Sequence, residues 1–178
     1  MTYKIMLVDD EPANLRVLER LFRSDYQVVT APSGAEALTL LEQHDVALLI
    51  SDQRMPAMTG IELLTKTVAL RPHMVRILLT GYTDVGALIE ALNSGLVYRY
   101  LTKPWNNDDL RLTVSRALEH YEMMKAKHLL GMENERLRAR LRQISELASA
   151  ELNHGSAARE KEVSELPSAE PEVYELLG

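Results

Sequence analysis

The chain has 178 residues, of which 46% are hydrophobic, and it carries a formal net charge of −6. This apolar content suffices for one domain with a packed core plus an additional segment, and the lack of cysteine excludes disulfides and thiolate chemistry. No apolar run reaches the length of a membrane span or a secretory signal, and the negative charge argues mildly against a dedicated nucleic-acid binder, so we expect a cytoplasmic protein with protein partners.

Strand-like runs alternate with helix-like segments about once every twenty to twenty-five residues, and roughly five such pairs fit before residue 121. This alternation is typical of βα units that build a mostly parallel sheet. Hydrophobic strands are predicted at Tyr3–Val8, Val46–Ser51, Val75–Leu79 and Val97–Leu101.

Capping signals mark the predicted helix starts. Pro12 suits a first helical position. Asn106 is placed to cap the last helix, with Trp105 and Leu110 as a hydrophobic staple. Two segments match the capping box, in which a hydroxyl and a carboxylate each accept from the other residue's backbone N–H. These segments are Ser33–Glu36 and Thr59–Glu62.

The last helix is predicted to continue from Asn106 to about Leu152, several times the usual helix length. Apolar residues there repeat every seven positions, which predicts a coiled coil and a homodimer. Because the apolar residues upstream follow a different seam, we expect a register shift near Gly131, at a flexible or stuttered joint where glycine weakens the helix. The predicted seam comprises Met123, Leu130, Leu137, Leu141, Ile144 and Ala148, with Lys127 and Asn134 as polar interruptions, whereas an upstream seam runs through Val114, Ala117, Tyr121, Met124 and His128.

These patterns divide the chain into three predicted regions. Residues 1–120 form an α/β domain, and residues 121–153 form a coiled-coil helix continuous with its last helix. Residues 154–178 are rich in Glu, Ser, Ala and Pro, which predicts a disordered linker or tail. The apolar close of the chain, Val173–Gly178, is compatible either with the opening of an absent output domain or with a simple terminus.

Polar residues follow four of the predicted strands. With five strands counted in chain order, Asp9 and Asp10 follow the first (Tyr3–Val8) and Asp52 follows the third (Val46–Ser51). Thr80 follows the fourth (Val75–Leu79) and Lys103 the fifth (Val97–Leu101). With strand order 2-1-3-4-5 the first and third strands are neighbours, so the carboxylates converge at the edge where such sheets bind ligands. Crowded carboxylates need a cation, and Mg²⁺ suits oxygen ligands of this kind. Together the residues predict a phosphoryl-transfer site.

Each of these residues also has a plain structural interpretation. The aspartates could cap helices or turns, where their charge favours the helix dipole. Thr80 could be an ordinary β-branched strand residue, and Lys103 could be a solvated loop lysine. Their common position at strand ends favours the functional interpretation.

These landmarks resemble the receiver domain of two-component response regulators over about residues 3–120. The resemblance implies a flavodoxin-like, doubly wound (βα)5 receiver with a five-stranded parallel sheet in the order 2-1-3-4-5, whose last helix extends into a coiled coil. It is carried by Val8–Asp10, Asp52 with Met55, Pro56 and Gly60, Thr80 with Gly81, Tyr100, and Thr102–Pro104.

The resemblance also implies roles for the metal and the phosphoryl group. Asp52 would be the phosphoacceptor, and Lys103 would neutralise transferred charge. Asp9, Asp10 and Asp52 would bind Mg²⁺ together with the backbone carbonyl of Arg54.

Other residues would switch or tune this reaction. Thr80 and Tyr100 would form the switch pair, in which the aromatic ring follows the hydroxyl inward. Arg54, Gly81 and Tyr82 occupy positions that tune the site and the lifetime of the phosphorylated state. A cis peptide bond is expected before Pro104, which proline permits.

The implied function is a phosphorylation-dependent switch of a two-component phosphorelay. A sensor histidine kinase or a phosphotransfer protein would supply the phosphoryl group, and the change would reach the face formed by the fourth helix, fifth strand and fifth helix. The coiled-coil dimer would then control an output domain or effector protein. The chain would catalyse only its own phosphorylation and dephosphorylation, with no separate output enzyme domain.

Other functions fit parts of the pattern. The main alternative is a phosphorylation-independent dimeric adaptor or scaffold. A haloacid-dehalogenase-type phosphatase would need a second aspartate at the position of Arg54. A DNA-binding interpretation could use the arginines between Arg136 and Arg142, but Glu133 and Glu135 lie nearby, as on solvated coiled-coil flanks. The five histidines show no metal-ligand spacing along the chain.

Overall fold

The computed structural model describes residues 3–81, 89 and 95–164, with side chains described as far as residue 149. Five parallel strands form one sheet in the order β2-β1-β3-β4-β5, which confirms the predicted topology. The helix predicted between the fourth and fifth strands lies outside the described residues, so α4 denotes the long last helix. The elements are β1 Lys4–Val8, α1 Pro12–Phe22, β2 Gln27–Ala31, α2 Gly34–Gln43, β3 Leu48–Asp52, α3 Gly60–Leu70, β4 Val75–Thr80, β5 Arg99–Thr102 and α4 Asn107–Ser164.

The capping box at α3 is complete. The Thr59 hydroxyl accepts from the Glu62 amide at 3.3 Å, and the Glu62 carboxylate accepts from the Thr59 amide at 2.8 Å. At α2, Ser33 supplies only its half, accepting from the Glu36 amide at 3.2 Å. The sequence therefore predicted both helix starts correctly, but the full reciprocal capping box that it predicted at both forms only at α3.

The starts of α1 and α4 also agree with the sequence. Pro12 is the first residue of α1. The Asn106 side chain accepts from the amides of Asp108 and Asp109 at 2.8 Å and 3.1 Å. Trp105 and Leu110 pack into the same apolar cluster, as a staple requires.

Both faces of the sheet are covered, which explains why its central strands are nearly continuous apolar runs. Successive side chains of a strand point to opposite faces, so Ile5 and Leu7 enter one cluster and Met6 and Val8 the other. The first cluster includes residues of α1 and the first part of α4, whereas the second includes residues of α2 and α3. The carboxyl ends of the strands remain available for a site.

Two arginines satisfy carbonyl groups at helix ends. Arg71 donates to the carbonyls of Leu41 and His44 near the end of α2, at 2.7 Å and 3.3 Å. Arg76, only 7% exposed on β4, donates to the carbonyls of Thr67, Arg71 and Met74 and to the Thr67 hydroxyl. Burial lowers the pKa of Arg76, and the carbonyl dipoles of the α3 end stabilise its charge.

Helix α4 extends farther than the sequence predicted. It runs without interruption through Gly131 to Ser164, whereas the predicted helix ends at residue 153. Residues 157–162 read Ala-Ala-Arg-Glu-Lys-Glu, all strong helix formers, and this local propensity outweighs the polar composition. None of the helices described is both long and apolar enough to cross a membrane.

The chain divides into two compact units, Met1–His128 and Leu129–Gly178. The first unit extends past the predicted boundary at residue 120 because Tyr121 still packs into the core and is 8% exposed. Val114 and Ala117 are fully buried there, so this part of the upstream seam belongs to the domain core. The exposed side chains of the predicted dimer seam are Met123, Leu130, Asn134, Leu137, Leu141, Ile144 and Ala148.

Candidate active site

The site lies at the carboxyl edge of the sheet. Val8 of β1 pairs in register with Ser51 of β3, so the residues that follow them, Asp9 and Asp52, leave the two strands side by side. Both are buried, at 0% and 5% exposure. Buried carboxylates are costly without compensating partners, so their contacts decide what the site can do.

Lys103 joins the two carboxylates. Its Nζ lies 2.9 Å from Asp9 Oδ2 and 2.6 Å from Asp52 Oδ1. Burial alone would lower the pKa of Lys103, but the hydrogen bonds and negative charges of Asp52 and Asp9 outweigh it and raise that pKa above its usual range. The lysine is held at the end of β5 by its own amide, which donates to the Thr80 carbonyl at 2.9 Å, and a cis bond joins it to Pro104, as predicted.

Asp9 is oriented by the start of α1. Its Oδ1 accepts from the Glu11 amide at 2.9 Å, and the Asn14 side-chain amide donates to Oδ1 and Oδ2 at 3.2 Å and 3.1 Å. Sequence reasoning missed Asn14. Its signal was available, because a first-turn amide two residues after Pro12 is close enough to reach a carboxylate that precedes the helix.

Asp52 is held by the loop that follows β3. Its Oδ2 accepts from the Arg54 amide at 2.9 Å. The loop returns so closely that a Cβ at Gly60 would lie 2.3 Å from the Asp52 carbonyl oxygen. The Gly60 amide and the Ile61 amide both donate to Gln53, at 3.0 Å and 3.1 Å. Only glycine permits this approach of α3 to the site.

The two predicted switch residues, Thr80 and Tyr100, differ in solvent exposure. Thr80 is 2% exposed, and its hydroxyl donates to the Gly81 carbonyl at 3.0 Å. Tyr100 is 39% exposed on β5. Tyr82, predicted to tune the reaction, lies outside the described residues.

The donor set is compatible with a hydrated cation. In the described part of the chain, no group of three or more His, Cys, Asp or Glu side chains is gathered closely enough to hold a metal by itself. Mg²⁺ needs only one or two carboxylates, because waters and phosphate oxygens complete its octahedron. Asp9 and Asp52 supply such oxygens, the half-buried Asp10 follows Asp9 directly, and the Arg54 carbonyl lies in the adjacent loop.

The fold and this arrangement of Asp9, Asp52, Thr80 and Lys103 define a receiver domain. Comparison with protein families agrees, since residues 5–115 match the response regulator receiver domain. The chain belongs to that family.

Its relatives include transcriptional regulators. The chain is 37% identical over 149 residues to the hydrogenase transcriptional regulatory protein HoxA of Cupriavidus necator, covering 83% of this chain and 31% of HoxA. It is 40% identical over 116 residues to the transcriptional regulatory protein GlrR of Escherichia coli K12, covering 65% of this chain and 26% of GlrR. The chain thus spans less than a third of these relatives.

Solved structures give the same fold. The signal receiver domain of an HD domain-containing protein from Pseudomonas fluorescens Pf-5 aligns with a TM-score of 0.67 at 36% identity, covering 70% of this chain and 93% of that one. A CheY-like receiver from Methanospirillum hungatei JF-1 aligns with a TM-score of 0.66 at 32% identity, covering 70% and 99%.

Proposed function

We propose that Asp52 accepts a phosphoryl group from a histidine kinase or phosphotransfer protein and that this modification switches the output of a two-component system. The observation that carries the proposal is the position of Lys103 Nζ, within ion-pair distance of both Asp9 and Asp52. Asp52 is buried beside the second carboxylate of Asp9, so it can accept a negatively charged phosphoryl group only because the Lys103 ammonium already supplies positive charge there.

The transfer is an in-line displacement. An oxygen of Asp52 attacks the phosphorus of the donor phosphohistidine, the new O–P bond forms as the N–P bond breaks, and the electron pair leaves with the imidazole nitrogen. The Arg54 amide holds one Asp52 oxygen, and Lys103 balances charge on the other. Bound Mg²⁺, held by Asp9, Asp10, Asp52 and the Arg54 carbonyl, would neutralise charge on the phosphoryl oxygens.

The switch begins at Thr80. Its hydroxyl donates to the Gly81 carbonyl before modification, and it would turn to donate to a phosphoryl oxygen on Asp52 afterwards. The space vacated by Thr80 would admit Tyr100, which is 39% exposed beforehand. This two-state element lies at the end of β4 and on β5, and it would bias the face that these strands form with the predicted fourth helix and with α4.

The long helix supplies the proposed route to a dimer. Five apolar residues of its predicted seam are between 49% and 66% exposed in the single chain, which is unfavourable unless another surface covers them. A second copy of α4 would bury them as a two-stranded coiled coil, and Asn134 would fix register and strand number. Because α4 begins in the receiver core, modification at Asp52 would change the packing of that dimer.

Relatives support a transcriptional output. HoxA and GlrR carry the description of transcriptional regulatory proteins, and this chain corresponds to under a third of either. We infer that the receiver and α4 regulate such an effector, supplied by the same protein or by a partner.

Intact mass tests the proposal. The purified chain is incubated with Mg²⁺ and acetyl phosphate, or with the kinase when known, beside Asp52→Asn and an Asp45→Asn control on the α2–β3 loop. We expect one added phosphoryl group on the wild type and on the control and none on Asp52→Asn. Modification that persists in Asp52→Asn would place the acceptor elsewhere and overturn the assignment.

A second candidate function is a phosphorylation-independent dimeric scaffold, which the exposed apolar residues of α4 favour. Sedimentation of the chain with and without beryllofluoride separates the two. The scaffold is established instead if the chain takes no phosphoryl group and beryllofluoride changes neither the stability and register of the dimer nor its partner binding.

A further inference from the structure

Three of the chain's five histidines gather away from the carboxylate site. His73 lies in the loop before β4, and its ring centroid is 4.4 Å from that of His128 on α4. His120 and His128 lie one helical turn before and one turn after Met124. The His120 ring lies against Tyr98, with ring centroids 5.1 Å apart. His73, Tyr98, His120 and Met124 all line one small cavity of about 150 Å³.

The helix spacing places these donors on one face. His120, Met124 and His128 are separated by four residues each, and side chains four apart on a helix are neighbours. The two histidines of this helix are eight residues apart, so each is a neighbour of Met124 rather than of the other histidine. The sequence did not reveal this cluster, because His73 is far from His120 and His128 along the chain and is brought near them only by folding.

We propose that His73, Met124 and His128 bind one soft or borderline transition-metal cation, such as Zn²⁺ or Cu⁺. Two imidazoles and a thioether are donors that such ions prefer over carbonyl or carboxylate oxygens, whereas Mg²⁺ prefers oxygen. Met124 lines the same cavity as His73 and lies one helical turn before His128, so we assign its sulfur as the third donor.

The surroundings leave room for the ion and its water. His73 and Met124 line a cavity of about 150 Å³, well above the roughly 10 to 15 Å³ that one water needs, and the His128 ring packs against His73. His128 is exposed and His73 half-buried, so both rings can rotate toward a common ion without breaking the core. The bound cation would fasten the loop before β4 to α4, independently of the phosphorylation of Asp52.

The test uses the full chain without an affinity tag and with Mg²⁺ in excess. Zn²⁺ and Cu⁺ are titrated separately by calorimetry, and histidine ring signals are followed by NMR. We expect one equivalent to bind and to shift the ring signals of His73 and His128. His73→Ala and His128→Ala should each weaken binding at least tenfold, and Met124→Leu should weaken Cu⁺ more than Zn²⁺.

His44→Ala is the matched control, because His44 lies at the end of α2 beside Lys4 and outside the cluster. It should bind metal as the wild type does. Unchanged affinity in both His73→Ala and His128→Ala, or binding abolished by Asp52→Asn, would overturn the proposal. Circular dichroism verifies that each variant is folded.

Discussion

The Asn14 side-chain amide donates to both oxygens of the buried Asp9 carboxylate, at 3.2 Å and 3.1 Å. This contact fixes the carboxylate plane beside Lys103. Asn14 is therefore a positioning residue for the reaction, acting through Asp9 rather than on the phosphoryl group.

Asn14→Ala should slow phosphorylation of Asp52 while preserving the fold. Hydrogen bonds to charged groups contribute about 1.5 to 3 kcal/mol, and this one is partly buried, so we expect a loss of about 1 to 2 kcal/mol in unfolding free energy. The phosphorylation rate should fall about tenfold, with a higher Mg²⁺ requirement. Arg16→Ala, on the exposed side of the same helix, serves as control, and equal rates for both variants would contradict the role of Asn14.

The pH dependence of stability tests the Lys103 ion pairs. Since the folded-state pKa of Lys103 is raised above its ordinary 10.5, the pairs stabilise the fold fully below the unfolded-state pKa. That stability is lost as the pH rises through the folded-state pKa. The difference in unfolding free energy between wild type and Lys103→Met should thus be constant from about pH 7 to 9 and shrink above about pH 10.4.

Urea unfolding of the two proteins at each pH measures that difference. Tyrosines ionise at high pH in both proteins, so their effect cancels in the comparison. A difference that already shrinks between pH 7 and 9 would indicate that the pKa of Lys103 is lowered rather than raised.

Position along the strands determined how much of the site was predictable. Asp52 ends a strand of a parallel sheet and Asp9 and Lys103 directly follow one, and strand order brings such ends together. Neither Asn14 nor Arg76 ends a strand. Asn14 could be found only from its place in the first turn of α1, two residues after Pro12. Arg76 interrupts an apolar strand, and nothing in that strand indicates that carbonyl groups at the end of α3 accept its hydrogen bonds.

The start of α4 was predictable, but neither the extent of the domain core within it nor its C-terminal end was. The heptad pattern indicated a continuous helix, yet it could not show that Tyr121 belongs to the domain core. Glycine at position 131 predicted a weak joint, but a single glycine costs only about 1 kcal/mol, which the flanking helix formers outweigh.

Two glycines should respond in opposite directions to an added methyl group. Gly60→Ala places its Cβ against the Asp52 carbonyl, so either the β3–α3 loop or the strand must move. We expect a loss of about 2 to 4 kcal/mol in unfolding free energy, together with slower phosphorylation.

Gly131→Ala is the matched substitution, because apart from its chain neighbours and the nearby helix backbone no atom lies within 4 Å of the added Cβ in the single chain. It should increase helicity and stabilise α4 by about 0.5 to 1 kcal/mol. Circular dichroism and urea unfolding measure both effects. Equal destabilisation by the two substitutions would show that backbone approach at Gly60 is not the constraint.

The predicted seam of α4 can be tested against a neighbouring apolar residue. Leu137 is 49% exposed and lies in the seam, whereas Leu147 is 60% exposed and lies outside it. Leu137→Lys should weaken the homodimer at least tenfold, because it buries a charge between helices. Leu147→Lys should change the dimer dissociation constant less than about twofold. Sedimentation equilibrium measures both, and equal effects would reject the proposed register.

The end of α3 holds the end of α2 through one side chain. Arg71 is the residue that ends α3, and it donates to the carbonyls of Leu41 and His44 near the end of α2. Neither helix can fray at that end without releasing the same guanidinium. We therefore expect the final turns of α2 and α3 to open as one cooperative unit, so that their amide protons exchange with solvent with a common opening free energy.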